Sequence, residues 1–417
     1  MNEKTSLNKM TTDRLLEESI SIYSDSLPFP YDRLVKVPLW KKMWNEKRLE
    51  KIINSLINDL EPYMPLLKES YQSEVNAKES EAVTKVKELI YNALKLIDEK
   101  QLLFDRPFLT YFMSQGYMDV AEAFIQRVNS EDPELKNEEV FQALRNIWIM
   151  NSLQLLWDQK ITLTSPMYAY SLLYPYTDNL LDNSEIRLSD KEAFNDGLRQ
   201  SLKQLPIHST NKTEARIYDL VKMIHTDFPI EDYPDVCESI ILIHKAQIES
   251  MKQHTPLSLS RNDLLRISFF KGGTSVLADA YLIKGKLTYE EMFFSFQYGA
   301  FLQLLDDLQD KAEDERESSQ TLFTNLKTGE KADSEIRRVI AYIHSVNTIS
   351  ASDNSNSSLL KEVISQCTLL MIMEAVGKQP SIISDTFYKE LESYSKVRLS
   401  FYKHLNEKIK EQLDVLD

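Results

Sequence analysis

Glycine is scarce in this sequence. There are 8 glycines among 417 residues, whereas average usage is roughly 7%. Sheets and tight hairpins rely on glycine at their turns, so its scarcity argues against a β-rich fold. Scarce glycine favours helices joined by short polar connections. We therefore expect an all-α protein.

Cysteine is scarcer still, and the sequence contains no long apolar run. Cys237 and Cys367 lie far apart, without the spacing of metal ligands, which is typical of buried thiols in a reducing compartment. No apolar run approaches the ~20 residues needed to span a bilayer. The N-terminus, MNEKTSLNKMTTDR, lacks the apolar core of a signal peptide. We expect a cytoplasmic protein with no transmembrane segment.

The charge balance is strongly acidic. The formal net charge is −15, from 64 acidic and 49 basic residues. Such a surface repels nucleic acids and anionic membranes, so no nucleic-acid partner is expected. An acidic protein that handles an anionic substrate needs either metal cations or a local basic pocket.

Helical periodicity covers almost the whole chain, with apolar residues at three- and four-residue spacing. It predicts helices over Thr12–Tyr23, Leu39–Leu67, Glu79–Leu103, Pro107–Val128, Glu138–Gln159, Pro166–Leu181, Lys191–Leu202, Lys212–His225, Tyr233–Gln253, Asn262–Ile283, Tyr289–Asp314, Ser334–Thr348, Ser357–Gly377 and Ser384–Gln412. The predicted linkers are Ser130–Asn137, Leu205–Asn211 and Ser350–Ser358. We expect an N-terminal helical region over 1–102 and one helical domain over 103–417.

Two aspartate clusters carry the chemistry. Asp178 and Asp182 follow an aromatic stretch, MYAYSLLYPY, and a four-residue spacing puts both carboxylates on one helix face. The second cluster ends another apolar helix and contains Asp306, Asp307 and Asp310, with Asp314 one turn further on. Carboxylates this close repel one another unless a cation lies between them. Hard oxygen ligands suit Mg²⁺, whose coordination shell substrate phosphates can complete.

The first cluster resembles a known motif. The segment DNLLDNSEIR, Asp178–Arg187, is similar to the first aspartate-rich motif of the trans-isoprenoid synthase superfamily. It is closer still to the YxDNLxD core of the large-terpene synthases, the subclass of tetraprenyl-β-curcumene synthase. Asn179 replaces the second aspartate of the prenyl diphosphate synthase motif DDxxD, and Pro175 stands where a further aspartate is usual.

The second cluster resembles the second motif of the same superfamily. Gly299–Asp314 reads GAFLQLLDDLQDKAED, with the LQ and ED that flank the metal-binding helix of squalene and phytoene synthases. The resemblance implies a class I helical bundle that binds Mg²⁺ and ionises a prenyl diphosphate. It implies metal ligation by Asp178, Asp182, Asp306, Asp307, Asp310 and Asp314, and it allows a homodimer.

Several other residues are expected to bind the substrate. Lys271 and Arg261 precede the second motif, and Arg187 follows the first, so each is a candidate diphosphate contact. Gly272 and Gly273 interrupt a helical pattern, which indicates either close packing or a helix break. The further candidates are Asn179, Gln303, Tyr174, Phe270 and Tyr298 for the substrate, with Tyr168, Tyr170, Phe269 and Phe294 for the hydrocarbon cavity.

Three reactions and one non-enzymatic role compete. Chain elongation needs a second diphosphate site, which its families build from an N-terminal GGKRxRP segment that is absent from this sequence. Head-to-head coupling of two diphosphates remains open, because both clusters fit DxxxD. The YxDNLxD resemblance favours a terpene synthase that cyclises or deprotonates one long substrate, C25 to C35. The remaining alternative is a degenerate helical scaffold that binds no metal.

Overall fold

The computed structural model describes residues 6–25, 34–64, 81–182, 186–255, 257–327, 329–349 and 355–413. The side chains of Asp178, Asn179 and Asp182 lie outside this description, although their backbone is helical. Across the described ranges the chain forms 17 helices and no strand. The prediction of an all-α fold is therefore confirmed.

The helices are numbered in chain order. They are α1 Lys9–Asp25, α2 Leu39–Leu60, α3 Glu81–Glu99, α4 Leu109–Gln115, α5 Tyr117–Glu131, α6 Asn137–Leu156, α7 Ser165–Asp182, α8 Leu188–Leu202, α9 Lys212–Asp227, α10 Pro234–Ser250, α11 Arg261–Lys284, α12 Tyr289–Gln309, α13 Lys311–Glu317, α14 Asp333–Ile349, α15 Ser355–Lys378, α16 Asp385–Tyr394 and α17 Leu399–Leu413.

The chain divides into two compact units, and neither is one continuous stretch. The first unit comprises residues 1–28, 115–325 and 338–362, and the second comprises 29–114, 326–337 and 363–417. Both aspartate clusters belong to the first unit. The expected division after residue 102 stays a prediction.

Side-chain contacts fix the relative directions of α6, α7 and α11 in the first unit. The Asn146 amide donates to Ser171 Oγ at 3.2 Å, and the Gln154 amide donates to Met167 Sδ at 3.5 Å. Residues further along α6 thus meet residues earlier in α7, so these two helices are antiparallel.

The direction of α11 follows from the same asparagine. The Asn146 amide also lies 3.2 Å from Asp279 Oδ1, and the Lys284 ammonium lies 5.1 Å from the Trp157 ring just beyond α6. Helices α6 and α11 therefore run in the same direction. Because α7 runs against α6, it also runs against α11.

Helix α12 packs antiparallel along α11 at very close range. A Cβ added to Gly272 would lie 2.3 Å from the Gly299 carbonyl oxygen, and one added to Gly299 would lie 2.0 Å from that of Gly272. The glycine pair in α11 is thus a packing contact, and the helix continues through it without a break. The C-terminal ends of α7 and α12 consequently lie at the same end of the bundle as the start of α11.

Three predicted helices are divided in the structure. Tyr289–Asp314 is broken at Asp310, whose carbonyl accepts from the amides of Glu313 and Asp314 at 2.8 and 2.9 Å. Pro107–Val128 is broken at Gly116, whose φ of 95° is unfavourable for other residues. Ser384–Gln412 is broken between Tyr394 and Leu399. Apolar periodicity continues across such short turns, so it cannot reveal them.

No helix in the described ranges is long and apolar enough to cross a membrane, as the sequence predicts.

Replacing Gly299 by alanine tests the close packing of α11 and α12. The new methyl group would meet a backbone carbonyl that cannot move aside, so the free energy of unfolding should fall by about 2 kcal/mol. A matched control is Gly197→Ala, since that methyl group would meet only the tips of the Tyr218 and Ile207 side chains. Thermal unfolding measures both variants, and a Gly299→Ala protein as stable as wild type would contradict the packing.

Candidate functional site

Asp307 is the most deeply buried carboxylate of the second aspartate cluster. It is 5% exposed and lies in the last turn of α12. Ser268 Oγ of α11 donates to it at 2.8 Å, and the Gln303 amide donates at 2.9 Å. Burial raises the pKa of Asp307 to about 6, and these two donors and Lys271 oppose the rise. The pKa of the Asp307 carboxyl group therefore lies close to neutral pH.

Asp314 lies one helical segment further on, in α13. Burial raises its pKa to about 7, and repulsion from Asp307, Asp310 and Glu317 adds to the rise. The Lys271 ammonium lowers the pKa of both Asp307 and Asp314, so it lies close enough to act on both carboxylates. The expected contact of Lys271 with a diphosphate stays a prediction.

Asp306, the residue before Asp307, faces a different helix. The Asp306 carboxylate accepts from Arg145 of α6 at 3.0 Å, near the solvent. Asp310 lies at the C-terminal end of α12, and its backbone amide donates to the Asp306 carbonyl at 2.9 Å. Adjacent positions on a helix point about 100° apart. Asp306 and Asp307 accordingly point to different partners.

These carboxylates fit Mg²⁺ by their chemistry. They are hard oxygen donors, and the raised pKa of Asp314 shows negative charge concentrated beside Asp307, Asp310 and Glu317. A closed site is not formed: within the described residues no three His, Cys, Asp or Glu side chains form a group that could hold a metal. Metal ligation by Asp178, Asp182, Asp306, Asp307, Asp310 and Asp314 stays a prediction.

The first cluster lies on the last turns of α7. The backbone of Asp178, Asn179 and Asp182 is helical, and their side chains lie outside the described part of the chain. Helix directions bring this end of α7 to the same end of the bundle as the last turn of α12. The two clusters thus share one end of the first unit.

Tyr176, the tyrosine of the YxDNLxD pattern, anchors this part of α7. Its hydroxyl donates to Asp132 Oδ1 at 2.7 Å, and the guanidinium Nε of Arg216 donates to the same oxygen at 2.7 Å. Asp132 is buried just after α5, and Tyr168 donates to its other oxygen at 3.3 Å. The tyrosine therefore holds the end of α7 through a buried ion pair.

The remaining predicted diphosphate contacts lie at helix starts. Arg187 is exposed before α8 and donates to Asp190 at 3.0 Å. Arg261 is the exposed first residue of α11, ten residues before Lys271. The expected role of both arginines at a diphosphate stays a prediction.

The predicted aromatic residues are largely core. Tyr168, Tyr170, Phe269, Phe270, Phe294 and Tyr298 are all buried. Tyr298 stacks on Phe294 with ring centroids 5.9 Å apart, and the Lys245 ammonium lies 5.8 Å from the Phe270 ring. Tyr174 is half-buried and lines a cavity of about 30 Å³ between α7 and α10. This volume suits one water molecule, and it is too small for a prenyl chain.

Three polar groups were not singled out from the sequence: Arg145 and Ser268 beside the second cluster, and Asp279 further along α11. Arg145 and Ser268 are joined to Asp306 and Asp307 only through the fold, at separations of 161 and 39 residues. Asp279 is fully buried in α11, and burial raises its pKa well above the usual range, opposed by the Asn146 hydrogen bond. Because Asp279 lies within the apolar run SVLADAYL, the sequence could have identified it as a buried acid.

His244 is a fourth group that the sequence did not single out. It lies on α10, lines the cavity beside Tyr174, and is 4% exposed. Neither ring nitrogen has a hydrogen-bond partner within the described part of the protein. Burial lowers the pKa of His244 to about 4, and the Arg199 charge lowers it further. The imidazole is therefore neutral in the folded protein at pH 7.

Comparison with known proteins adds no relative. No protein-family profile, curated protein or solved structure matches the chain.

The pH dependence of stability tests the state of His244. Between about pH 6.5 and 4 the unfolded chain holds a proton on this imidazole and the folded chain does not. The unfolded state is then favoured by acid, and the free energy of unfolding should fall by up to about 3 kcal/mol over that range. Above pH 6.5 the imidazole is neutral in both states and contributes no slope.

Carboxylates also titrate in this range, so the measurement is a difference between proteins. Denaturant unfolding of wild type and His244→Leu should diverge below pH 6.5, with the variant losing less stability. His208→Leu removes an exposed histidine and should follow the wild-type curve. Parallel curves for wild type and His244→Leu would show that the imidazole is protonated in the folded state.

Proposed function

We propose that this protein is a Mg²⁺-dependent class I terpene synthase that ionises one long prenyl diphosphate and cyclises or deprotonates the resulting cation. The observation that supports the proposal most is the direction of the helices. It brings the C-terminal ends of α7 and α12, each carrying an aspartate cluster, to the same end of one helical bundle. The resemblance of both clusters to the motifs of trans-isoprenoid synthases adds the reaction type.

In the proposed site, carboxylates of the two clusters hold the metal. Mg²⁺ would withdraw charge from the diphosphate as its carbon–oxygen bond breaks. Asp307 and Asp314 are already destabilised as anions by burial and mutual repulsion, so a cation beside them is strongly favoured. Asp306 would exchange its exposed Arg145 partner for the metal.

Two cations of the chain would bind the diphosphate directly. Lys271 on α11 is close enough to Asp307 and Asp314 to lower the pKa of both, and Arg145 on α6 donates to Asp306. Charge-assisted hydrogen bonds from such groups to phosphate oxygens are about twice as strong as neutral ones. They would hold the leaving group at the end of the bundle where the two clusters lie.

The alternative reactions are not supported by a separate observation in the described part of the chain. No described residue arrangement favours chain elongation or head-to-head coupling over reaction of a single diphosphate. Substrate length, set at C25 to C35 by resemblance, and homodimer formation also stay predictions. The assay below separates these alternatives by product.

The test is a product assay with purified protein, Mg²⁺ and single prenyl diphosphates from C15 to C35, each with and without isopentenyl diphosphate. A hydrocarbon or alcohol should form from one diphosphate alone. Asp307→Asn should lower turnover by about 100-fold or more, because metal stabilisation of leaving-group charge is worth several kcal/mol. Asp196→Asn removes an exposed carboxylate from α8 and should leave turnover unchanged.

Each of the other outcomes would indicate a different function. A longer diphosphate made only with isopentenyl diphosphate would indicate chain elongation, and a product of doubled length would indicate head-to-head coupling. No turnover, together with no Mg²⁺-dependent change in melting temperature on adding prenyl diphosphates, would leave the scaffold role.

A second prediction concerns Lys271. Lys271→Met removes the ammonium but keeps the aliphatic stem, so it should raise KM about tenfold through the loss of one charge-assisted contact. Lys286→Met changes an exposed lysine just beyond the opposite end of α11 and is the matched control. An unchanged KM in Lys271→Met would remove this lysine from the diphosphate site.

A further inference from the structure

Helix α2 in the second unit buries its polar side and exposes its apolar side. Its buried residues include Lys42, Asn45 and Glu46, followed by Leu49 and Ile52. A surface helix ordinarily presents its apolar stripe to the core. The reversed arrangement in the first two turns of α2 needs a physical cause.

Hydrogen bonds fix the orientation of this helix. The Lys42 ammonium donates to the Ser395 carbonyl at 2.8 Å, and the Asn45 amide donates to the Lys396 carbonyl at 2.8 Å. Glu46 accepts from the Arg398 guanidinium at 2.6 Å and from its backbone amide at 2.7 Å. Three consecutive inward positions are thus paired with the turn before α17, and rotation of α2 would leave buried charges unpaired.

The outward side of the same turns is apolar. Leu39, Trp40, Met43 and Trp44 are 58%, 69%, 44% and 49% exposed. Two of the 4 tryptophans in the chain lie on this face. A contiguous exposed patch of such large side chains is typical of an interaction surface.

Cations continue the outward face along the next turns. Lys47 and Lys51 are exposed, and the Arg48 guanidinium lies 3.5 Å from the centroid of the Trp44 ring. Tryptophan beside lysine and arginine is the composition of helices that lie in a membrane interface, where the ring enters the headgroup region and the cations contact lipid phosphates.

We propose that α2 docks on an anionic lipid surface through this outward face. Leu39, Trp40, Met43 and Trp44 enter the boundary between headgroups and acyl chains, and Lys47, Arg48 and Lys51 pair with lipid phosphates. The helix lies in the plane of the surface and does not span the bilayer. This inference does not depend on the proposed terpene synthase activity.

The net charge of −15 opposes this docking at long range. At physiological ionic strength, however, the Debye length is about 8 Å, so the charges nearest the lipid dominate once the face is in contact. Each lysine or arginine near an anionic surface raises the binding affinity by about fivefold. The local cations of α2 therefore decide the contact, and these cations restrict it to anionic surfaces.

The test is co-sedimentation of the full chain with phosphatidylcholine vesicles, with and without phosphatidylglycerol. The protein should bind the vesicles that contain phosphatidylglycerol, and high salt should release it. Tryptophan emission of the wild-type protein should shift to shorter wavelength on binding, since Trp40 and Trp44 leave water. This readout requires no variant to fold.

Two variants separate the apolar and charged contributions. Trp40→Ala with Trp44→Ala, and Lys47→Gln with Arg48→Gln and Lys51→Gln, should each weaken vesicle binding at least tenfold. The matched controls are Phe141→Ala, an exposed aromatic on α6, and Lys203→Gln with Lys212→Gln and Lys222→Gln. Both controls should bind as wild type does.

Three results would overturn the proposal. They are absence of vesicle binding by the wild-type protein, equal binding by the α2 variants and the controls, and binding that ignores phosphatidylglycerol. Analytical ultracentrifugation addresses a fourth: a dimer that the double tryptophan variant abolishes, without vesicle binding, would show that a second copy covers this face.

Discussion

The backbone contact between Gly272 and Gly299 sets the geometry on which the candidate site depends. Each residue faces a carbonyl of the opposite helix at a distance that no side chain could share. This contact fixes how far α11 and α12 slide along one another. Ser268 lies about one turn before Gly272, and Asp307 lies about two turns after Gly299. A slide of a single turn would separate their side chains by about 5 Å. A close-packed interface therefore determines the position of a buried acid.

The second aspartate cluster carries an excess of negative charge. Four aspartates end α12 and enter α13, and Lys271 and Arg145 offset part of their charge. Burial and repulsion raise the pKa of Asp314 in spite of that lysine. The structure maintains this unfavourable charge density at the end of a helix that is otherwise apolar and aromatic. A cation that joins these carboxylates would relieve the repulsion, which is the physical basis for expecting a metal.

The apolar periodicity of the sequence predicted where helices form. It did not predict where they end or which residues they contact. The apolar spacing of α11 and α12 predicts both helices, because packing against a core imposes a 3.6-residue repeat. The turn at Asp310 escaped prediction, since the alanine, lysine, glutamate and arginine residues that follow it are good helix formers. Arg145 could not be found, because no local pattern connects residue 145 with residue 306.

The candidate site shows the same limit in another form. Spacing placed Asp306, Asp307 and Asp310 on one helix end, as observed, but it could not tell that Asp306 turns to α6 while Asp307 turns to α11. Which side a carboxylate takes depends on donors from other helices. Ser268 and Gln303 supply those donors for Asp307, and neither residue is unusual in the sequence.

Helix α2 shows why a periodic pattern does not decide which face of a helix is buried. Apolar area favours burial of Trp40 and Trp44, but Lys42, Asn45 and Glu46 have partners that only one orientation satisfies. Leaving a buried charge unpaired costs about 3–5 kcal/mol, whereas exposing one large apolar side chain costs about 1.5–3 kcal/mol. With several paired groups on the inward side, the polar contacts prevail over the apolar area. The apolar face is therefore left on the surface, where it is available to another partner.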